Sequence, residues 1–197
     1  MYTDSATAYE AHALAFMQAR DTSTIGADVI KAWCVGLPPG ARVLELASGA
    51  GYPVTSVLTE AGLRVWAMDS SSTLLAEFAK RFPAVPVQCA KVQDSDFFGL
   101  EFDVVIAVGL MFLLSEAEQI ALIHRVGKLL APGGRFLFTA PVASCSWVDL
   151  TTGIPSLSLG RAVYEKSLNV AGMRLLPSRV DVGDNHYYDA EKIGDYN

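Results

Sequence analysis

The stretch RVLELASGAGYPV, from Arg42 to Val54, limits the possible folds of this chain more than any other. Val43, Leu44, Leu46 and Ala47 form an apolar run that stops abruptly in small residues, Ser48-Gly49-Ala50-Gly51, which predicts a buried strand entering a tight loop. Pro53 is then expected to start a helix, since a first-turn residue has no intrahelical partner for an N–H and the proline φ suits that position. A strand, a loop poor in side chains and a helix N-terminus make a nucleotide cradle: the backbone can approach a ligand closely, and the helix end offers unpaired N–H groups. The dinucleotide fingerprint needs a third glycine at the sixth position, and counting from Gly49 that position is Val54.

Periodicity predicts alternating elements around this loop. A helix is expected from Ser5 to about Ala19, with Tyr9, His12, Phe16 and Ala19 on one face, packed on the core or lying as a lid. Ser23 or Thr24 is placed to cap a second helix running to about Val35. After the loop, a helix to Ala61 ends at Gly62, and LRVWAMDSS follows as a strand closed by Asp69, eighteen residues beyond Gly51. An acidic residue at that distance is where nucleotide-binding α/β folds bind ribose hydroxyls. Leu75, Phe78, Ala79 and Phe82 form the apolar stripe of the next helix, which stops at Pro83. VPVQCAKVQDSDFF gives a third strand and a polar turn, and Val104 to Val108 reads as a central strand buried on both faces. Met111 and Phe112 beyond it are expected to pack. Ser115 and Glu118 form a capping box for a helix reaching Leu130, and RFLFTAP is a fifth strand. VASCSWVDLTTGIPSLSLG is then a long loop carrying Trp147 and Asp149. A helix from Arg161 to Ala171 leads to an antiparallel hairpin of Met173 to Val182 and His186 to Glu191.

Glu45, Leu46, Ala47-Ser48-Gly49-Ala50-Gly51 resembles the first motif of class I S-adenosylmethionine-dependent methyltransferases, an acidic residue, a hydrophobic one and G-x-G-x-G, with Ala47 in place of the first glycine. Leu130 to Phe138, LAPGGRFLF, resembles a second family hallmark, and the resemblance spans about 41–141. It implies an α/β fold: a doubly wound, mostly parallel seven-stranded sheet in the order 3-2-1-4-5-7-6, one strand antiparallel, with helices on both faces. One domain is expected over 1–197, with an N-terminal helical lid at 1–36, a cofactor-binding core at 41–141, and an acceptor-side loop, helix and hairpin at 142–197. The ends, with RDTSTIG, the SLG of Ser158 to Gly160 and NHYY of Asn185 to Tyr188, look like a subfamily of small bacterial methyltransferases.

The family pattern places S-adenosylmethionine, with S-adenosylhomocysteine as product, on Glu45, Ala47, Ser48, Gly49 and Gly51, its ribose on Asp69 with Ser70 beside it. The adenine falls on Val92, Gln93 and Asp94, where Lys91 stands at a usually acidic position, and Ala107 ends the fourth strand beside the site. Tyr9 or His12 touches the cofactor if the N-terminal helix is a lid and not simply packed on the core. Arg20 is a solvated residue or the bidentate partner of an amino-acid carboxylate. A protonated acceptor must lose its proton, and histidine is the natural base at neutral pH. His186, in its polar cluster with Asn185, is the first candidate, and Tyr187, Asp149 and His12 are substitutes. Many family members use no base at all.

A net charge of −6 disfavours nucleic acid, and no Asn/Asp-Pro-Pro-Tyr/Phe signature follows the fourth strand, so the expected acceptor is a small molecule. The three cysteines show no C-x-x-C pair, and no metal site is spelled out. The N-terminal stretch lacks the pattern of a signal peptide and no apolar run is long enough for a membrane span, so the cytoplasm is expected; monomer and homodimer both stay open. An NAD(P)-linked oxidoreductase and a non-catalytic S-adenosylmethionine-binding protein remain the alternatives. Gly51→Val is expected to weaken cofactor binding while leaving the fold intact.

Overall fold

The computed structural model describes residues 4–150 and 152–194. Residues 1–3 and 195–197, at the ends of the lid and acceptor-side regions, and Thr151 in the expected loop lie outside it. The elements are helices α1 Ser5–Ala11, α2 Ala13–Asp21, α3 Ala27–Cys34, α4 Val54–Glu60, α5 Ser72–Arg81, α6 Glu116–Leu129 and α7 Arg161–Val170. The strands are β1 Arg42–Leu46, β2 Arg64–Asp69, β3 Val87–Cys89, β4 Phe102–Ala107, β5 Leu130–Thr139, β6 Cys145–Val148, β7 Pro155–Ser158, β8 Met173–Leu175, β9 Arg179–Val180 and β10 His186–Lys192.

The main sheet runs β3-β2-β1-β4-β5-β10-β8. β1 to β5 are mutually parallel, while β10 is antiparallel to both β5 and β8. β10 and β8 thus occupy the places of the seventh and sixth strands of the expected order. The sheet has eight strands and not seven, because the stretch expected as one strand from Met173 to Val182 breaks at 176–178 and gives β9 as a second short partner of β10. Pro177 sits in the break and has no N–H for a ladder bond.

Strand periodicity divides the core into two layers. Leu44, Leu46, Val105, Ala107, Phe136, Phe138 and Tyr188 face α6 and α7, where they meet Leu122, Ile123, Val126, Tyr164 and Leu168. Val43, Val104, Ile106, Leu137 and Tyr187 face α3 and α4, against Ile30, Trp33, Val54 and Leu58. Helices therefore cover both faces, as a mostly parallel sheet requires. A buried network, with Trp33 and Arg135 both donating to the Asp189 carboxylate, ties α3 to β5 and β10.

Four boundaries differ from those read in the sequence. The N-terminal helix bends at His12 into α1 and α2, and both halves contact α5. α3 is capped by Gly26 and not by Ser23 or Thr24; Gly26 has φ 90°, and a Cβ there would lie 2.5 Å from the Tyr187 hydroxyl. Pro53 is the N-cap of α4 and not its first residue. The expected loop after β5 is folded into the hairpin β6–β7. Gln119 of α6 holds that hairpin, its side-chain N–H groups donating to the carbonyls of Leu114 at 3.0 Å and Leu157 at 3.1 Å while its oxygen accepts from Tyr164 at 2.7 Å. The capping box of α6 is formed by Ser115 and Glu118 as expected.

Candidate functional site

β1 ends at Leu46, and the chain turns through Ala47 at φ 55°, Gly49 at φ 56° and Gly51 at φ 94°. Glycine takes these left-handed values without strain, whereas Ala47, standing where the family motif has its first glycine, holds its conformation at a cost of about 1 kcal/mol. Asp69, at the end of β2, fixes the turn from below: its carboxylate accepts from Gly49 N–H and from Ser71 N–H, each at 2.8 Å. Burial raises the Asp69 pKa against those stabilising N–H bonds. Glu45, one residue before the end of β1, is fully enclosed, and burial pushes its carboxyl pKa up to about 8 although Thr55 donates to it at 2.6 Å.

These groups open on a cavity of about 670 Å³ across the carboxyl ends of the parallel strands. That is the position at which doubly wound sheets bind ligands, and the volume suits a nucleotide-sized guest. Glu45, Ala47, Ser48, Gly49, Asp69 and Ser70 form its floor, and Val92 and Gln93 close one end. Tyr9 and Arg20 wall it from the N-terminal helices, and Asp149 and Tyr187 from the C-terminal region. The Tyr9 hydroxyl donates to Asp149 at 3.3 Å, which joins those two walls. Burial lowers the pKa of Arg20, opposed by Tyr187 and Asp181 nearby.

Five of the residues singled out in the sequence do not line this cavity. Gly51 backs onto α5, where a Cβ would meet Phe82 at 2.3 Å; together with its φ this makes valine a threat to the fold itself, contrary to the expectation that Gly51→Val would be structurally silent. Asp94 lies on the exposed outer side of its turn, with its N–H bonded to the Lys91 carbonyl. Ala107 is fully buried toward α6, and the next residues, Val108 and Gly109, reach the cavity instead. His12 sits at the bend between α1 and α2. His186 shares a strand face with Tyr188, their rings 4.7 Å apart, so it faces away from the cavity that Tyr187 lines. Burial and the nearby Arg161 lower the His186 pKa. Tyr187 is a poor proton acceptor, since its hydroxyl donates to Asp181 at 2.9 Å and burial pushes its pKa up.

Sequence reasoning missed others. Lys91 lines the cavity and pairs with Asp4 at 2.5 Å, which lies just ahead of α1. Phe112, expected only to pack, lines the cavity with its ring 5.4 Å from Trp147. Glu10 reaches from α1 to the first turn of α5, accepting from Ser71, Ser72 and Thr73. Ser71 caps α5 through its side chain, and no local pattern points to Glu10 as its partner. Among the described residues there is no cluster suited to a metal ion and no helix long and apolar enough to cross a membrane.

Residues 43–134 match a family model described as a methyltransferase domain. No curated protein matches the sequence. Among solved structures, the chain is similar to the 1,6-didemethyltoxoflavin-N1-methyltransferase of Burkholderia thailandensis, with 19% identity over 98% of this chain and 93% of that one and a TM-score of 0.73. It is also similar to the CcbJ methyltransferase of Streptomyces caelestis, at 21% identity over 85% and 90% of the two chains with a TM-score of 0.68. A third is the magnesium protoporphyrin IX methyltransferase of Synechocystis PCC 6803, at 18% identity over 84% and 77% with a TM-score of 0.67. Residues 43–134 thus match a methyltransferase-domain model, and the chain as a whole takes the fold of class I methyltransferases.

Proposed function

We propose that the protein transfers a methyl group from S-adenosylmethionine to a small-molecule acceptor. The observation that carries this reading is the tie between Gly49 N–H and the Asp69 carboxylate at the floor of the cavity, inside a methyltransferase domain. The residues present fit the cofactor. Asp69 keeps carboxylate lone pairs for ribose hydroxyls after accepting its two N–H bonds, and the turn at Gly49 admits close backbone approach. Among the described residues no cation stands beside the buried Glu45 carboxyl, which the positive charge of the cofactor would complement. Arg20, which lines the wall, would take the amino-acid carboxylate, and Val92 and Gln93 would flank the adenine.

The cofactor supplies an activated methyl on a sulfonium sulfur, so the protein is left with alignment and exclusion of water. Phe112, Asp149 and Tyr187 surround the space beyond Gly109, and the Tyr9–Asp149 contact closes it from above. Asp149 is the group on that side able to accept an acceptor N–H or O–H. Its other oxygen takes Thr152 N–H at 2.8 Å, which holds the carboxylate in place. Three structural neighbours of the same fold are methyltransferases named for magnesium protoporphyrin IX, 1,6-didemethyltoxoflavin and a glycopeptide, which is consistent with this acceptor class.

The test is ligand-dependent thermal stability. S-Adenosylmethionine and S-adenosylhomocysteine are expected to raise Tm by several degrees at 100-fold excess over Kd, where linkage gives about 2.7 kcal/mol, while NAD and NADP leave it unchanged. A rise with NAD alone would sink the reading. Labelled methyl transfer to a panel of small acceptors would then find the substrate.

A further inference from the structure

The part of the cavity beyond Gly109 is assembled from segments far apart in the chain. Asp149 and Ile154 come from the tip of the β6–β7 hairpin, Asn185 and Tyr187 from the start of β10, and Leu110 and Phe112 from the segment after β4. The apolar members make a slot, with the Phe112 ring packed on that of Trp147. What such a slot can hold depends on which hydrogen-bonding capacity its polar groups have left.

Side chains around the slot commit their protons within the protein. The Tyr9 hydroxyl donates to Asp149 at 3.3 Å, and the Tyr187 hydroxyl to Asp181 at 2.9 Å. The Asn185 amide nitrogen donates to both oxygens of Asp181, each at 3.1 Å, and a carboxylate can only accept, so both amide N–H groups are engaged. The Ser5 hydroxyl donates to the Leu113 carbonyl at 3.1 Å. These groups keep lone pairs, and Asp149 adds a carboxylate fixed by the Thr152 N–H at 2.8 Å and hydroxyl at 2.7 Å. Charge points the same way. Among the described residues, carboxyl groups on the cavity wall outnumber cations six to two, the cations being Arg20 and Lys91. Lys91 is paired with Asp4, and Arg20 is assigned above to the cofactor carboxylate. A carboxylate or phosphate on the acceptor would enter with no cation to meet it, whereas an N–H donor meets lone pairs and negative charge.

We propose that the methyl acceptor is a primary or secondary amine carried on an apolar body, with its N–H held by Asp149. The proposal rests on the methyl-transfer reading above and narrows its acceptor to nitrogen. The neutral amine's lone pair forms the new N–C bond while the S–C electron pair returns to sulfur, leaving S-adenosylhomocysteine. Positive charge thereby passes from sulfur to nitrogen, and one N–H proton then leaves to water. A carboxylate beside that nitrogen stabilises the charge as it develops. A phenolate or carboxylate acceptor would instead carry negative charge beside Asp149, which disfavours it.

The experiment is calorimetric titration of protein saturated with S-adenosylhomocysteine, using 2-naphthylmethylamine, 2-naphthalenemethanol and 2-naphthoate, probes that share one apolar body. Wild type is expected to bind the amine about tenfold more tightly than the alcohol, as a charge-assisted hydrogen bond exceeds a neutral one, and to bind naphthoate most weakly. Asp149→Asn is expected to bring amine and alcohol to similar affinities, with S-adenosylhomocysteine affinity as the check that the cofactor half is intact. Naphthoate binding as tightly as the amine, no measurable binding of the amine, or an amine preference intact in Asp149→Asn each overturns the proposal. If Asp149→Asn does not melt cooperatively, the wild-type ranking of the probes decides. Failure of wild type to bind S-adenosylhomocysteine would remove the cofactor reading instead.

Discussion

Glu45 carries its carboxyl into the α3/α4 side of the sheet, where its neighbours in sequence order along that face, Val43 and the adjoining Val104 and Ile106, are apolar. Its folded pKa of about 8 stands above the ordinary value of 4.5, so the folded state binds the proton more tightly than the unfolded one. The stability this contributes is fully present below about pH 4.5 and is lost as pH rises toward 8. Asp69, also raised by burial, acts with the same sign. Melts of the ligand-free protein followed by circular dichroism are expected to show Tm falling between about pH 5 and 8, with Glu45→Gln removing most of the fall. A variant with the wild-type slope would mean that Glu45 is not the titrating group. The Glu45 to Gly51 motif and Asp69 were legible in sequence because their geometry depends on adjacent residues and one crossover. The choice between His186 and Tyr187 was not, since which of two neighbours on β10 faces the cavity is set by pairing with β5, some fifty residues away.

At the scale of elements the same division holds. The capping box of α6 is a four-residue signal, Ser115 to Glu118, and could be read directly. The hairpin β6–β7 could not, because its strands are short and mostly polar or exposed and gain their place from Gln119 and Tyr164 on two distant helices. Gln119→Ala would leave the Tyr164 hydroxyl and the carbonyls of Leu114 and Leu157 short of partners inside the protein. A destabilisation of about 1 to 3 kcal/mol is expected from urea unfolding, with hydrogen exchange in β6 and β7 accelerated more than in β4 or β5. Equal acceleration throughout would show that Gln119 supports the global fold and not the hairpin in particular. Pro177 could have been read as a strand break, since it cannot donate to a ladder.

For the whole molecule, the alternation of strand and helix made the doubly wound sheet legible, while the seat of the N-terminal helices rested on contacts no periodicity encodes. Those helices meet the rest of the molecule through carboxylates at three separated points, Asp4 with Lys91, Glu10 with the first turn of α5, and Asp21 with Arg81 at 2.6 Å, beside the hydroxyl contacts of Ser5 with the Leu113 carbonyl and of Tyr9 with Asp149. Tyr9 and Arg20 lie between these fastenings and wall the cavity, so a bound nucleotide would sit beneath a cover fastened by charge as well as by the apolar packing of Ala13, Phe16 and Met17 on Ala50 and Leu74. Such fastenings respond to electrolyte, since mobile ions screen exposed pairs while leaving apolar contacts intact. Two partly exposed pairs at the usual worth of such bridges imply that S-adenosylhomocysteine dissociation, followed by stopped-flow displacement, quickens about two- to fivefold between low and high sodium chloride. Asp21→Asn is expected to be fast already at low salt and less sensitive to its increase. A dissociation rate indifferent to salt in both proteins would place the rate-limiting event elsewhere. On the expected outcome, the residence time of a bound nucleotide is set in part by the ionic strength of the surroundings.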